Sequence, residues 1–179
     1  MSLSEKQQGV LQGIVIGVLV TVVVIAGSIF FAPELLAQGT STSERLAFAL
    51  KADLFIALWL GLSVGRLARH RFLSPDDIDG GGLGPGSESA NVLQATLQNT
   101  LEQTVLAVLT HMIWMVTVPV SWPATVPAAV VLFVIGRLLF VRGYADGAPA
   151  RAVGFALTFY PSMLMLVITL VWLSRQNIF

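Results

Sequence analysis

Cysteine is absent from the 179-residue chain. That excludes disulfides, thiolate metal sites and cysteine nucleophiles, so any thiol chemistry must come from a bound substrate. Charge is scarce as well: 11% of residues are Asp, Glu, Lys or Arg, against 55% hydrophobic. Soluble domains carry about 25% charged residues, so this composition is that of an integral membrane protein. Ten basic residues balance ten acidic ones, a neutrality that gives no footprint for nucleic acid. The two histidines, His70 and His111, lie too far apart to suggest a metal or haem site, and none is expected. No Gly-rich phosphate loop opens a helix after a strand, which leaves nucleotide binding without support.

What the chain does have is apolar length. A spanning helix needs about 20 residues, and five segments reach or approach that, near 10–32, 46–67, 90–118, 124–141 and 151–173. The first is longer than a signal-peptide core, and its N-terminal flank pairs Lys6 with Glu5, so an uncleaved helix is expected despite the Leu35-Leu36-Ala37 sequence beyond it. Gly9, Gly13, Gly17 and Thr21 recur every four residues, a small-residue stripe that lets another helix approach. Lys51 and Asp53 read as interfacial. Pro119, Pro123 and Pro127 punctuate one turn beside Trp122, and Pro161 predicts a kink. The glycine-rich stretch 74–89 reads as a flexible cover or tether, with Asp76, Asp77 and Asp79 as solvated loop residues.

Basic residues set a direction. On alternate sides of the spans, seven of the ten Lys and Arg fall together: Lys6, Arg66, Arg69, Arg71, Arg137, Arg142 and Arg151. Arg45, Lys51 and Arg175 fall opposite. The positive-inside rule then puts the N-terminus in the cytoplasm and the C-terminus outside.

One apolar helix carries Gln98-Asn99-Thr100-Leu101-Glu102-Gln103. A carboxylate at bilayer depth is expensive and marks a bundle interior or a wet cavity. Asn91, Gln94, Gln98 and Glu102 share a helical face, and Asn99 sits about 60° from Glu102. Arg66, Arg137, Tyr144 and Arg151 end or begin neighbouring helices at the same level. A cationic pocket at the cytoplasmic boundary can therefore assemble, suited to an anionic, zwitterionic ligand whose carboxylates arginine would hold. Arg151 at a helix start would lower the pKa of a ligand thiol. The alternative for the polar face is interhelical hydrogen bonding at roughly 0.6–2 kcal/mol per bond.

These residues resemble a known family, the membrane-associated proteins in eicosanoid and glutathione metabolism (MAPEG). Three segments carry the likeness: Arg66 through Arg71-Phe72-Leu73-Ser74-Pro75-Asp76-Asp77, then Asn99-x-x-Glu102, then Gly136-Arg137 through Gly143-Tyr144 to Arg151-Ala152. The resemblance implies an all-α membrane protein: a MAPEG-like four-helix bundle over 46–179, preceded by an additional helix and connector over 1–45. It implies a homotrimer that binds glutathione as co-substrate between neighbouring subunits on the cytoplasmic side and takes a lipophilic electrophile from the bilayer. By position, Arg66, Asn99, Glu102, Arg137, Tyr144 and Arg151 would contact glutathione, Arg151 would stabilise the thiolate, and Asp77 matches an acidic position proposed for catalysis in one branch. The expected activity is that of a glutathione-dependent transferase or peroxidase in a bacterial inner membrane. Gln98, Val92, Ala95 and Phe140 depart from the family's usual basic and hydroxyl-bearing positions, which makes the site less cationic. A non-catalytic scaffold or small-molecule-binding protein on the same fold is the alternative. A transporter is disfavoured, because the polar groups cluster near one face and no internal repeat marks a midplane site.

Overall fold

A computed structural model describes residues 3–31 and 41–176. The described residues form six helices: α1 (Glu5–Phe31), α2 (Thr42–Ala52), α3 (Leu54–Leu73), α4 (Glu88–Thr117), α5 (Thr125–Arg142) and α6 (Ala148–Arg175). The fold is all-α, as the apolar segments predict. By length and composition α1, the α2–α3 stretch, α5 and α6 are apolar enough to cross a membrane. α4 is 30 residues long, about 45 Å at 1.5 Å per residue, and carries the polar cluster. The Leu35-Leu36-Ala37 sequence lies outside the described residues.

Local chemistry places the helix ends. Ser41 and Glu44 form a reciprocal capping box that starts α2. Ser87 caps α4 by accepting from the Ala90 amide. Gly147, at φ 95°, makes the turn into α6, where Pro149 occupies the first turn. α6 runs on through Pro161.

Two features differ from the sequence reading. The second span is divided at Asp53, which is only 4% exposed and turns its carboxylate inward to His111 of α4, Oδ1 to Nδ1 at 2.6 Å. Asp53 is thus an interior residue, whereas its neighbour Lys51 is exposed. Burying a carboxylate requires such a partner. The 74–87 connection is also tied down. Asp77 is buried and accepts hydrogen bonds from the Ser87 amide (2.7 Å) and the Ser87 hydroxyl (2.7 Å), with His70 Nε2 2.9 Å away. Asp76 and Asp79 are exposed.

Packing is closest where side chains are smallest. A Cβ on Gly13 would lie 2.6 Å from the Ala152 Cβ, and one on Gly9 would lie 2.9 Å from the Pro149 Cβ. The glycine stripe therefore seats α1 directly on α6. Gly136 of α5 likewise approaches the Gly154 carbonyl of α6. At the end of the bundle away from Arg151, Ile25, Ile56, Trp114, Met115, Val126, Phe133 and Met165 form the apolar core. Trp114 stacks on Trp122 with centroids 5.8 Å apart and donates its indole N–H to the Trp122 carbonyl.

Candidate functional site

The site begins with a buried cation. Arg137 of α5 is 0% exposed. Its guanidinium donates to Asn99 Oδ1 on α4 at 2.8 Å and to the Thr158 hydroxyl on α6 at 2.6 Å. The rings of Phe140 and Phe133 lie 4.5 and 5.8 Å from it, within cation–π range. Among the described residues no carboxylate pairs with Arg137. The charge is held by neutral acceptors and ring faces, so its positive field is not cancelled locally.

Asn99 links that buried group to a cavity. With its oxygen engaged by Arg137, its amide N–H groups remain as donors. The cavity, about 400 Å³, is lined by Asn99, Tyr144 and Arg151 among apolar side chains of α1, α4, α5 and α6. Arg151 lies in the first turn of α6 with its guanidinium 4.2 Å from the Tyr144 ring centroid. Tyr144 in turn meets Phe140 edge-on at 5.5 Å. Arg151 has no ion-pair partner among the described residues, and the start of α6 adds its positive dipole end. Chemically, this arrangement attracts an anion and favours the charged form of an acidic group placed beside Arg151.

Four of the expected site residues thus converge: Asn99, Arg137, Tyr144 and Arg151. Three lie elsewhere. Arg66 is exposed and borders a separate cavity of about 280 Å³ with Arg69 and His70. Glu102 is exposed and accepts from Gln98 at 3.0 Å. On the polar face of α4, Gln98 and Glu102 point out of the single chain, Asn91 and Gln94 bond to Pro85 and Arg71, and Asn99 points in. Asp77 borders a third cavity, about 540 Å³, beside Arg71 and the glycine loop, and its carboxylate is engaged by Ser87 and His70.

Sequence reasoning overlooked Thr158. It follows Arg151 by seven residues, which puts it on the same face of α6, and that spacing was the available signal. It also overlooked Val10 and Ile14 of α1, which line the Arg151 cavity.

A family model described as the MAPEG family matches residues 46–171. The chain belongs to the MAPEG family. All four convergent residues and Thr158 fall inside the matched span, and α1 precedes it. No curated protein and no solved structure matches the chain. Membership in MAPEG, together with the apolar helices, makes this an integral membrane protein.

Proposed function

We propose that this MAPEG protein is a glutathione-dependent transferase or peroxidase acting on lipophilic electrophiles. The observation that carries the reading is Arg151: a cation without an ion-pair partner among the described residues, at a helix start, stacked on Tyr144 in a cavity shared with Asn99. Glutathione supplies a thiol nucleophile. Arg151 holds the negative charge that develops on the sulfur, Tyr144 orients the guanidinium, and Asn99 donates to a carboxylate or carbonyl. Arg137 fixes Asn99 and adds its own field. Glutathione's ammonium needs a carboxylate, and none lines this cavity among the described residues.

Glu102 and Arg66 are the missing contacts, and both are exposed on the single chain. A homotrimer would bring them from a neighbouring copy and would cover the outward polar face of α4, which is costly against lipid. The basic end of the bundle would face the cytoplasm of a bacterial inner membrane.

The test is the ultraviolet absorbance of the thiolate when glutathione is added to the purified protein. The wild type should show it and Arg151→Ala should lose most of it. A wild type without the signal would end the thiol-activation reading. A non-catalytic binding protein is the second reading, favoured by Gln98, which is neutral and engages Glu102. Such a protein would still be stabilised by glutathione, by about 2.7 kcal/mol at a hundred times Kd, without forming thiolate. A pure scaffold would show neither effect.

A further inference from the structure

The Asp53–His111 pair has no part in the site described above, yet it carries two ionisable groups into a membrane interior. Such groups are costly there, and proton relays are one of their uses. His111 meets Asp53 Oδ1 through Nδ1. The second carboxylate oxygen, Oδ2, is buried without a partner among the described residues. So are the Trp59 indole N–H of α3 and the Thr104 hydroxyl of α4.

Helix register brings these atoms together. Arg71 bonds Gln94 at one end of the α3–α4 contact and Asp53 bonds His111 at the other, so the two helices run antiparallel. Trp59 then stands level with Thr104 and Val105. Thr104 precedes His111 by seven residues and shares its face. Side chains lean toward the N-terminus of their own helix. Trp59 therefore leans toward Asp53, and His111 leans toward Thr104. Elsewhere Thr100, Thr117 and Thr169 donate to carbonyls four residues back on their own helices. The Thr104 hydroxyl makes no such bond.

The surroundings are asymmetric. On the side away from Arg151, Trp114, Met115, Val118 and Val126 close the core, each 3% exposed or less. Toward Arg151 comes Gln103, its side-chain oxygen buried without a partner among the described residues. Asn99 lies one turn further, in the Arg151 cavity. The way from His111 to Asn99 is about 18 Å along α4. Besides Asp53, the α2–α3 junction brings Arg45, bonded to the Val118 carbonyl, and the exposed Lys51. Ile25 of α1, Val126 and Phe133 of α5 and Met165 of α6 complete this core without charge.

We propose that Asp53, Trp59, Thr104 and His111 hold a water molecule and form a proton store, filled from the Arg151 end by way of Gln103 and closed at the other. A hydronium ion gives its proton to the second ring nitrogen of His111 and is left as water. The Asp53 carboxylate balances the imidazolium so formed. Asp53 Oδ2, the Thr104 hydroxyl and the Trp59 N–H supply the three or so hydrogen bonds that a buried water makes. The store stands whatever ligand the Arg151 cavity takes.

The experiment is nuclear magnetic resonance on the full chain in detergent, with isotope-labelled histidine and tryptophan rings. The chain has two histidines, and His70, with its side chain 24% exposed, serves as the internal standard. The His111 ring should gain and lose a proton reversibly as pH is cycled within the folded range. The Trp59 N–H should exchange with heavy water at least about tenfold faster than the Trp114 N–H, which is bonded to the Trp122 carbonyl. Thr104→Val and Gln103→Leu should each slow exchange at the His111 ring about tenfold, and Thr117→Val, at the other end of α4, should leave it unchanged. A His111 ring that keeps one protonation state until the protein unfolds overturns the proposal, as does a Trp59 N–H no faster than that of Trp114. So does His111 exchange that ignores the folded Thr104 and Gln103 variants or is slowed equally by Thr117→Val. An unchanged melting temperature and elution volume confirm folding, and should Thr104→Val misfold, Gln103→Leu decides.

Discussion

At the scale of single residues, this chain buries charge in two different ways. Asp53 and His111 pair across 2.6 Å through one carboxylate oxygen, an arrangement in which either partner alone would be expensive. Arg137 is instead solvated by an amide, a hydroxyl and two rings. That choice leaves net positive potential beside the Arg151 cavity, which suits an anionic ligand. The sequence made Arg137 visible as a lone cation in an apolar helix but not its partners, because side-chain reach between helices depends on their rotation about their axes. Asp53 was misread for the same reason: its closeness to Lys51 in sequence says nothing about which way each faces.

Asp77 offers a pH test at this scale. The Ser87 amide, then the Ser87 hydroxyl, then His70 hold its carboxyl below the ordinary carboxylate range. A depressed folded pKa means the stabilisation is present above the unfolded value, near 4, and is lost as pH falls through the folded value. Protection of the Ser87 amide from hydrogen exchange, corrected for the intrinsic rate, should hold from neutral pH down to about pH 4 and fall below it. Asp77→Asn should be less protected at neutral pH and lack the acid step. Protection that ignores acid in the wild type would show that the loop is pinned by something else.

At the scale of elements, the glycines of α1 are not equivalent. Those at 9, 13 and 17 lie where a Cβ would run into α6, whereas one at Gly27 would meet nothing within 4 Å. Gly17→Ala should therefore destabilise the protein by about 1–3 kcal/mol through overpacking. Gly27→Ala should be neutral or stabilise by up to ~1 kcal/mol, since alanine is the better helix former. Thermal melts of both variants in one detergent check this, and equal shifts would refute the close α1–α6 seat. The stripe itself was legible because four-residue spacing marks a helix face. Its partner was not, since Pro149, Ala152 and Ala156 become a matching surface only once α6 is folded. The tie from Asp77 to Ser87 was similarly hidden: glycine content suggested a loose loop, and one carboxylate ten residues away fixes it.

At the scale of the whole molecule, the all-α membrane fold was legible from apolar length, and the family from three short polar segments in order. The candidate site was legible only in part. Helical phase put Asn99 and Glu102 about 60° apart, and that angle is enough to send Asn99 into the chain and Glu102 out of it. If the proposed site joins the Arg151 side of one copy to Glu102 of the next, it is a heterologous interface that closes into a ring. Co-expression of Arg151→Ala with Glu102→Gln then gives a decisive readout. Each variant alone has every site broken. Random mixing at equal amounts restores both groups at about a quarter of the interfaces. Thiolate absorbance should recover to about a quarter of wild type in the whole mixture, and to about a third in mixed trimers isolated through a different affinity tag on each variant. Mixed oligomers as inactive as the single variants would mean that Arg151 and Glu102 must act from one chain, and the outward α4 face would then need another explanation.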